Sequence, residues 1–194
     1  MTDGPRTITP SQTVGPFYSF CLTRPPPRLS PLGDHRLITP DAHGTPVTIR
    51  GAIFDGEQAP VPDGLIEVWQ ADGRGLYRGA GNGADDTSFT GFGRVDMDAQ
   101  GRFVIETVKP GRVPAPDGGR QAPHLALGIF GKGLNRRLYT RMYFDDEPSN
   151  SDDPVLKAMP EARRRTLVAQ RVPDGCYEFV IRLQGRDETV FLEA

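Results

Sequence analysis

The placement of proline constrains this chain more than any other feature. Eleven of the nineteen prolines fall within residues 1–62. Each one fixes φ and removes a backbone donor, so this third of the chain cannot be mostly helix or central strand. Glycine is equally dense, at 23 of 194 residues, and no internal repeat organises it. Apolar runs sit between these Pro and Gly clusters, a pattern of short strands joined by turns. Residues 1–45 read as an extended arm with too little apolar density for a core of its own. It is expected to drape over its own domain or another chain. Residues 46–194 are expected to form the domain proper, and a chain of this length can hold a core without staples.

Strand signals begin at Pro46–Phe54, where Val47 and Ile49 alternate with Thr48 and Arg50. Further strands are read at Leu65–Gln70, Gly101–Thr107, Ala122–Phe130, Leu138–Phe144 and Cys176–Leu183, with Thr189–Leu192 pairing after a turn at Gly185. Residues 71–93 and 108–122 read as long loops, the second of a length that is often functional. Lys132–Asn135 turns a hairpin into Leu138–Phe144. Helical signals are confined to Asp152–Leu156, which Asp153 can cap, and to Met159–Ala169. The predicted fold class is all-β: a β-sandwich of mainly antiparallel strands, with a long extended N-terminal arm and one or two short helices.

A net charge of −2 with both signs interspersed gives no reason to expect nucleic acid or an anionic membrane as partner. No apolar run approaches the ~20 residues of a membrane span, and none resembles a leader, so a soluble cytoplasmic protein is expected. Cys21 and Cys176 are too few and too far apart for a disulfide framework, and Cys176 reads as a small buried hydrophobe. Asp85-Asp86, Asp145-Asp146-Glu147 and Asp152-Asp153 read as solvated turns and caps, and Arg163-Arg164-Arg165 as a wet helix face.

Chemistry is suggested by two residues. His124 is one of three histidines and the one that falls inside a strand-like run. Tyr77 stands in a Gly-rich corner just beyond another strand. Each alone has an ordinary structural reading, as a satisfied core histidine and a packed phenol with a wet hydroxyl. Together they look like half of a metal site.

Six segments then resemble the intradiol ring-cleaving dioxygenases, in order along nearly the whole chain. They are Thr9–Phe17, Leu65–Asp72, Gly75–Tyr77, Val108–Gly111, Ala122–His124 and Leu138–Asp146. The resemblance implies a β-sandwich and an Fe(III) centre held by two tyrosines and two histidines, hard anionic oxygens suiting a trivalent cation. It places those ligands at Tyr77, Val113, His124 and Ala126. Two of these four residues offer no donor, and His35, His43, Tyr139 and Tyr143 match no ligand position. The resemblance is closest to two-subunit members that cleave protocatechuate (3,4-dihydroxybenzoate) with O2. It implies a non-catalytic chain that lines the active site of a homologous, iron-bearing beta subunit in an alpha–beta hetero-oligomer. No iron is expected on this chain alone. Thr13, Gly15 and Pro16 match the arm segment that walls the substrate pocket, where small and rigid residues let backbone approach a flat ring. Lys132 stands where the family can present an arginine toward substrate, and a lysine there is a point charge without the bidentate fork. A self-sufficient dioxygenase with altered ligands, and a non-enzymatic β-sandwich that only binds or scaffolds, remain as alternatives.

Overall fold

The computed structural model describes Gly15, Leu22, Thr23 and residues 34–193 other than Asn82 and Asp117. Thr13, Pro16 and Cys21 lie outside the described residues. The strands are β1 (Pro46–Phe54), β2 (Leu65–Trp69), β3 (Phe92–Asp96), β4 (Arg102–Val108), β5 (Val113–Pro114), β6 (Arg120–Gln121), β7 (His124–Phe130), β8 (Leu138–Phe144), β9 (Val168–Arg171) and β10 (Cys176–Arg182). Two four-residue helices, α1 (Pro154–Lys157) and α2 (Glu161–Arg164), lie between β8 and β9.

Eight strands run in the order β3-β2-β7-β8-β9-β10-β1-β4. The short strand β9 joins the halves of the sandwich. Its Val168 and Ala169 pair in parallel with Tyr143 and Phe144 of β8, while Gln170 and Arg171 pair antiparallel with Glu178 and Tyr177 of β10. The β1–β10 pairing is also parallel. The remaining strand pairings are antiparallel, including the β7–β8 hairpin. The predicted all-β sandwich is therefore the fold.

The core lies between the two halves. Ile49 and Ile53 of β1, Ile66 and Val68 of β2, Ile105 of β4, Leu125, Leu127 and Ile129 of β7, and Phe179 and Ile181 of β10 are all at most 2% exposed. Alternation along each strand delivers one apolar set to this layer. Tyr177, Phe179 and Ile181 share that face as read from the sequence, and Cys176 is buried and free.

The structure departs from the sequence reading in four places. β3 arises at the end of the expected 71–93 loop, where Phe92–Asp96 pairs with the whole of β2. The 108–122 loop contains a two-residue ladder, β5–β6, closed by a turn at Gly118. The expected Met159–Ala169 helix is α2 followed by a single 3-10 turn, and from Val168 the chain is extended because both sheets claim its backbone. Thr189–Leu192 is not a strand. Its backbone bonds to Arg182 and, through one isolated bridge at Leu192, to Tyr139. The α1 reading holds: Asp153 caps it by accepting from the N–H groups of Val155 and Leu156. No helix among the described residues is long and apolar enough to cross a membrane.

Candidate functional site

The corner that carries Tyr77 is built by two buried side chains. Gln70 donates to the carbonyls of Ala71 and Val108 and accepts from the Thr107 hydroxyl, locking the exit of β2 to the end of β4. The Asp72 carboxylate accepts from the N–H groups of Arg74 and Leu76, and its carbonyl accepts from Gly75 and Gly111, all at 2.9–3.1 Å. Gly75 has φ +82°, and a Cβ there would fall 2.1 Å from the Arg112 carbonyl oxygen. Only glycine allows that approach. The Tyr77 corner is thereby pressed against the Arg112–Val113 backbone.

His124 opens β7 on the sheet face turned away from the main core. Register sets its neighbours: His124 is opposite Tyr143, Ala126 lies between Trp69 and Arg141, and Gly128 is opposite Tyr139. Trp69 stacks on Tyr77 with ring centroids 6.0 Å apart and planes 6° apart. Val113 pairs with Gln121 across the β5–β6 ladder, and Gln121 accepts a 2.5 Å hydrogen bond from Nη1 of Arg141. Trp69 thus links the Tyr77 corner, and Arg141 through Gln121 the Val113 ladder, to the face that carries His124 and Ala126.

The imidazole is held as a metal ligand would be. Its Nδ1 lies 2.8 Å from the Ala122 carbonyl oxygen, which can only accept, so Nδ1 carries the proton and Nε2 does not. Burial, and then the nearby Arg141 charge, lower its pKa to about 4, so the ring is neutral at physiological pH. Burial also raises the Tyr77 phenol above its usual range, and the Tyr143 phenol with it. Both phenols are therefore protonated at neutral pH.

A trivalent ion does not fit these residues. Val113 and Ala126 are buried and present only carbon. Among the described residues, no group of three or more His, Cys, Asp or Glu could hold a metal. The formal charge at the centre of the cluster belongs to Arg141.

Sequence reasoning missed two members of this cluster, Gln121 and Arg141, and read Asp153 as a solvated cap, whereas it is fully buried. The Asp153 carboxylate accepts from the Ala122 N–H at 2.8 Å and from the Tyr143 hydroxyl at 3.1 Å, in addition to capping α1. Period-two alternation along Leu138–Phe144 does put Tyr139, Arg141 and Tyr143 on one face. Only the β7–β8 register reveals that this face is also His124's.

The other candidates read from the sequence lie elsewhere. Lys132 is exposed in the β7–β8 turn. Eight residues of mostly extended chain separate it from His124, roughly 20 Å or more. Gly15 is exposed, and a Cβ there would meet open space. The acidic clusters do structural work. Asp146 accepts from Lys109 and from the Tyr177 hydroxyl, and Asp86 pairs with Arg74. Arg165 pairs with Asp187.

Residues 31–185 match the model of a family described as Dioxygenase. The chain is 41% identical to the protocatechuate 3,4-dioxygenase alpha chain of Burkholderia cepacia, with 95% of this chain and 96% of that one covered. It has the same identity to the alpha chain from Pseudomonas putida, again over 95% and 96%. It is 36% identical to the Burkholderia cepacia beta chain, over 75% of this chain and 67% of that one. Among solved structures, 3-chlorocatechol 1,2-dioxygenase from Rhodococcus opacus 1CP superposes with a TM-score of 0.63 at 22% identity, covering 81% of this chain and 69% of the other.

Proposed function

This chain belongs to the intradiol ring-cleaving dioxygenases, and from that premise we propose that it is the non-catalytic, alpha-type subunit of a protocatechuate-cleaving enzyme. The enzyme opens 3,4-dihydroxybenzoate between its two hydroxylated carbons with O2, giving 3-carboxy-cis,cis-muconate. A homologous beta-type subunit carries the Fe(III). That ion would supply the activation of the aromatic diol. This chain contributes the wall of the partner's pocket and the surface on which the partner docks, in the cytoplasm.

One observation carries the reading. The chain is similar to alpha chains along nearly its full length, while the positions where the family implies iron ligands hold Tyr77, Val113, His124 and Ala126. A fold that holds only two of the four donors suits a pocket-forming subunit. Thr13, Gly15 and Pro16 of the arm are assigned to the partner's substrate pocket. Lys132 is assigned there too, because its turn projects away from this chain's own cluster and its charge suits a substrate carboxylate.

Removing residues 1–18 from the co-expressed pair tests the assignment. The pair is expected to assemble with its iron retained and to lose most of its turnover of 3,4-dihydroxybenzoate. Unchanged turnover would refute the arm's role.

A further inference from the structure

We infer that Arg141 is a resident cation that closes this chain's site to metal, independently of the two missing donors. The inference rests on the reading of the chain as the iron-free partner. It adds that restoring the donors is not sufficient to restore the centre.

Arg141 occupies the middle of the cluster. It is directly across from Ala126, one of the donor-less positions. Its Nη1 bonds to Gln121, which pairs with Val113, the other. The same nitrogen lies 3.3 Å from the Tyr143 hydroxyl, whose ring packs 5.5 Å from that of His124.

No carboxylate contacts the guanidinium directly among the described residues; Asp153 reaches it only through the shared Tyr143 hydroxyl. The polar partners of Arg141 among the described residues are a glutamine and phenols rather than a carboxylate. Its Nε is buried with no hydrogen-bond partner among the described residues. A guanidinium does not deprotonate in proteins, so it cannot yield to an incoming ion as a lysine or histidine can. A trivalent cation brought among the same groups would face a fixed like charge in a half-buried setting, where screening is weak. A cation already serves the phenols and the imidazole here, and it is covalently part of the chain.

The test compares Val113→Tyr/Ala126→His with the same pair plus Arg141→Gln, and the same pair plus Arg141→Lys. The probe is Fe(III) nitrilotriacetate, read by bound iron per chain and by the visible tyrosinate-to-iron band. Thermal unfolding confirms that each variant is folded. The double variant is expected to stay iron-free, and the lysine triple, whose ammonium can lose its proton, to bind more weakly than the glutamine triple. The glutamine triple is expected to bind at least about a hundredfold more tightly. Equal binding by the double and glutamine-triple variants overturns the inference, as does a folded glutamine triple that stays empty.

Should the triples fail to fold, Arg141→Ala provides the second arm. Its melting temperature is expected to fall and to be restored saturably by millimolar methylguanidinium, but not by methylammonium. No fall, or no selective rescue, overturns the inference. Turnover by the co-purified pair with unaltered Arg141 reports separately on the proposed function, so the two can fail independently.

Discussion

The two faces of β7 are one strand under two different demands. On the inner face, Leu125, Leu127 and Ile129 are each at most 1% exposed and pack into a layer shared by both halves of the sandwich. On the outer face, His124 and Ala126 are nearly as buried, yet their neighbours are Arg141, Tyr143 and Trp69. The inner face needs only apolar volume, which many sequences supply. The outer face needs particular atoms at particular places, and here it holds an imidazole in a ligand's tautomer beside Ala126, which offers no donor.

That contrast can be strained from either face. On the inner face, Leu127→Ala is expected to cost about 4 kcal/mol of unfolding free energy in urea titrations, from lost transfer energy and the cavity left behind. Its effect on the partner's turnover should be limited to loss of folded chain. On the outer face, Asp153→Ala is expected to cost about 3 kcal/mol, because the Ala122 N–H, the Tyr143 hydroxyl and the first N–H groups of α1 all lose one acceptor. A cost near 0.5 kcal/mol would show that the outer face is tolerant packing after all.

The pH dependence separates the faces further. The folded His124 pKa of about 4 lies below the ordinary 6.5, so the unfolded chain binds this proton more readily. Its contribution is therefore complete above pH 6.5 and is lost progressively as pH falls toward 4, by up to about 3 kcal/mol. His124→Gln should flatten the stability profile between those values, and an unchanged slope would mean that the imidazole is not held neutral. At the rim, Trp69→Ala is expected to cost about 1 kcal/mol, since Trp69 is 42% exposed and its main partner is the stacked Tyr77 ring. The exposed Arg102–Asp98 pair should show no resolvable coupling in a double-mutant cycle.

The inner face was legible in the sequence, because alternation and turn residues carry it. β1 and β8 begin and end where the residues suggested, and Asp153 caps α1 as read. β9 was misread because Val168–Arg171 follows a run of good helix formers. Its extended form is imposed by two strands, Phe144 on one side and Tyr177 on the other, that lie far apart in sequence. The outer cluster was half legible for the same reason. Tyr77 and His124 stand out by residue type and resemblance. Arg141 and Gln121 gain their meaning only from register, which brings together residues from β5, β6, β7 and β8.

If the enzyme's iron belongs to the partner and this chain shapes the pocket around it, iron and activity must both travel with the beta-type subunit. Iron content and 3,4-dihydroxybenzoate cleavage should therefore be measured together, for the chain purified alone and for the chain co-purified with that partner. The chain alone is expected to be colourless, iron-free and inactive, and the pair coloured and active. Stoichiometric iron and ring cleavage by the chain alone would contradict the assignment.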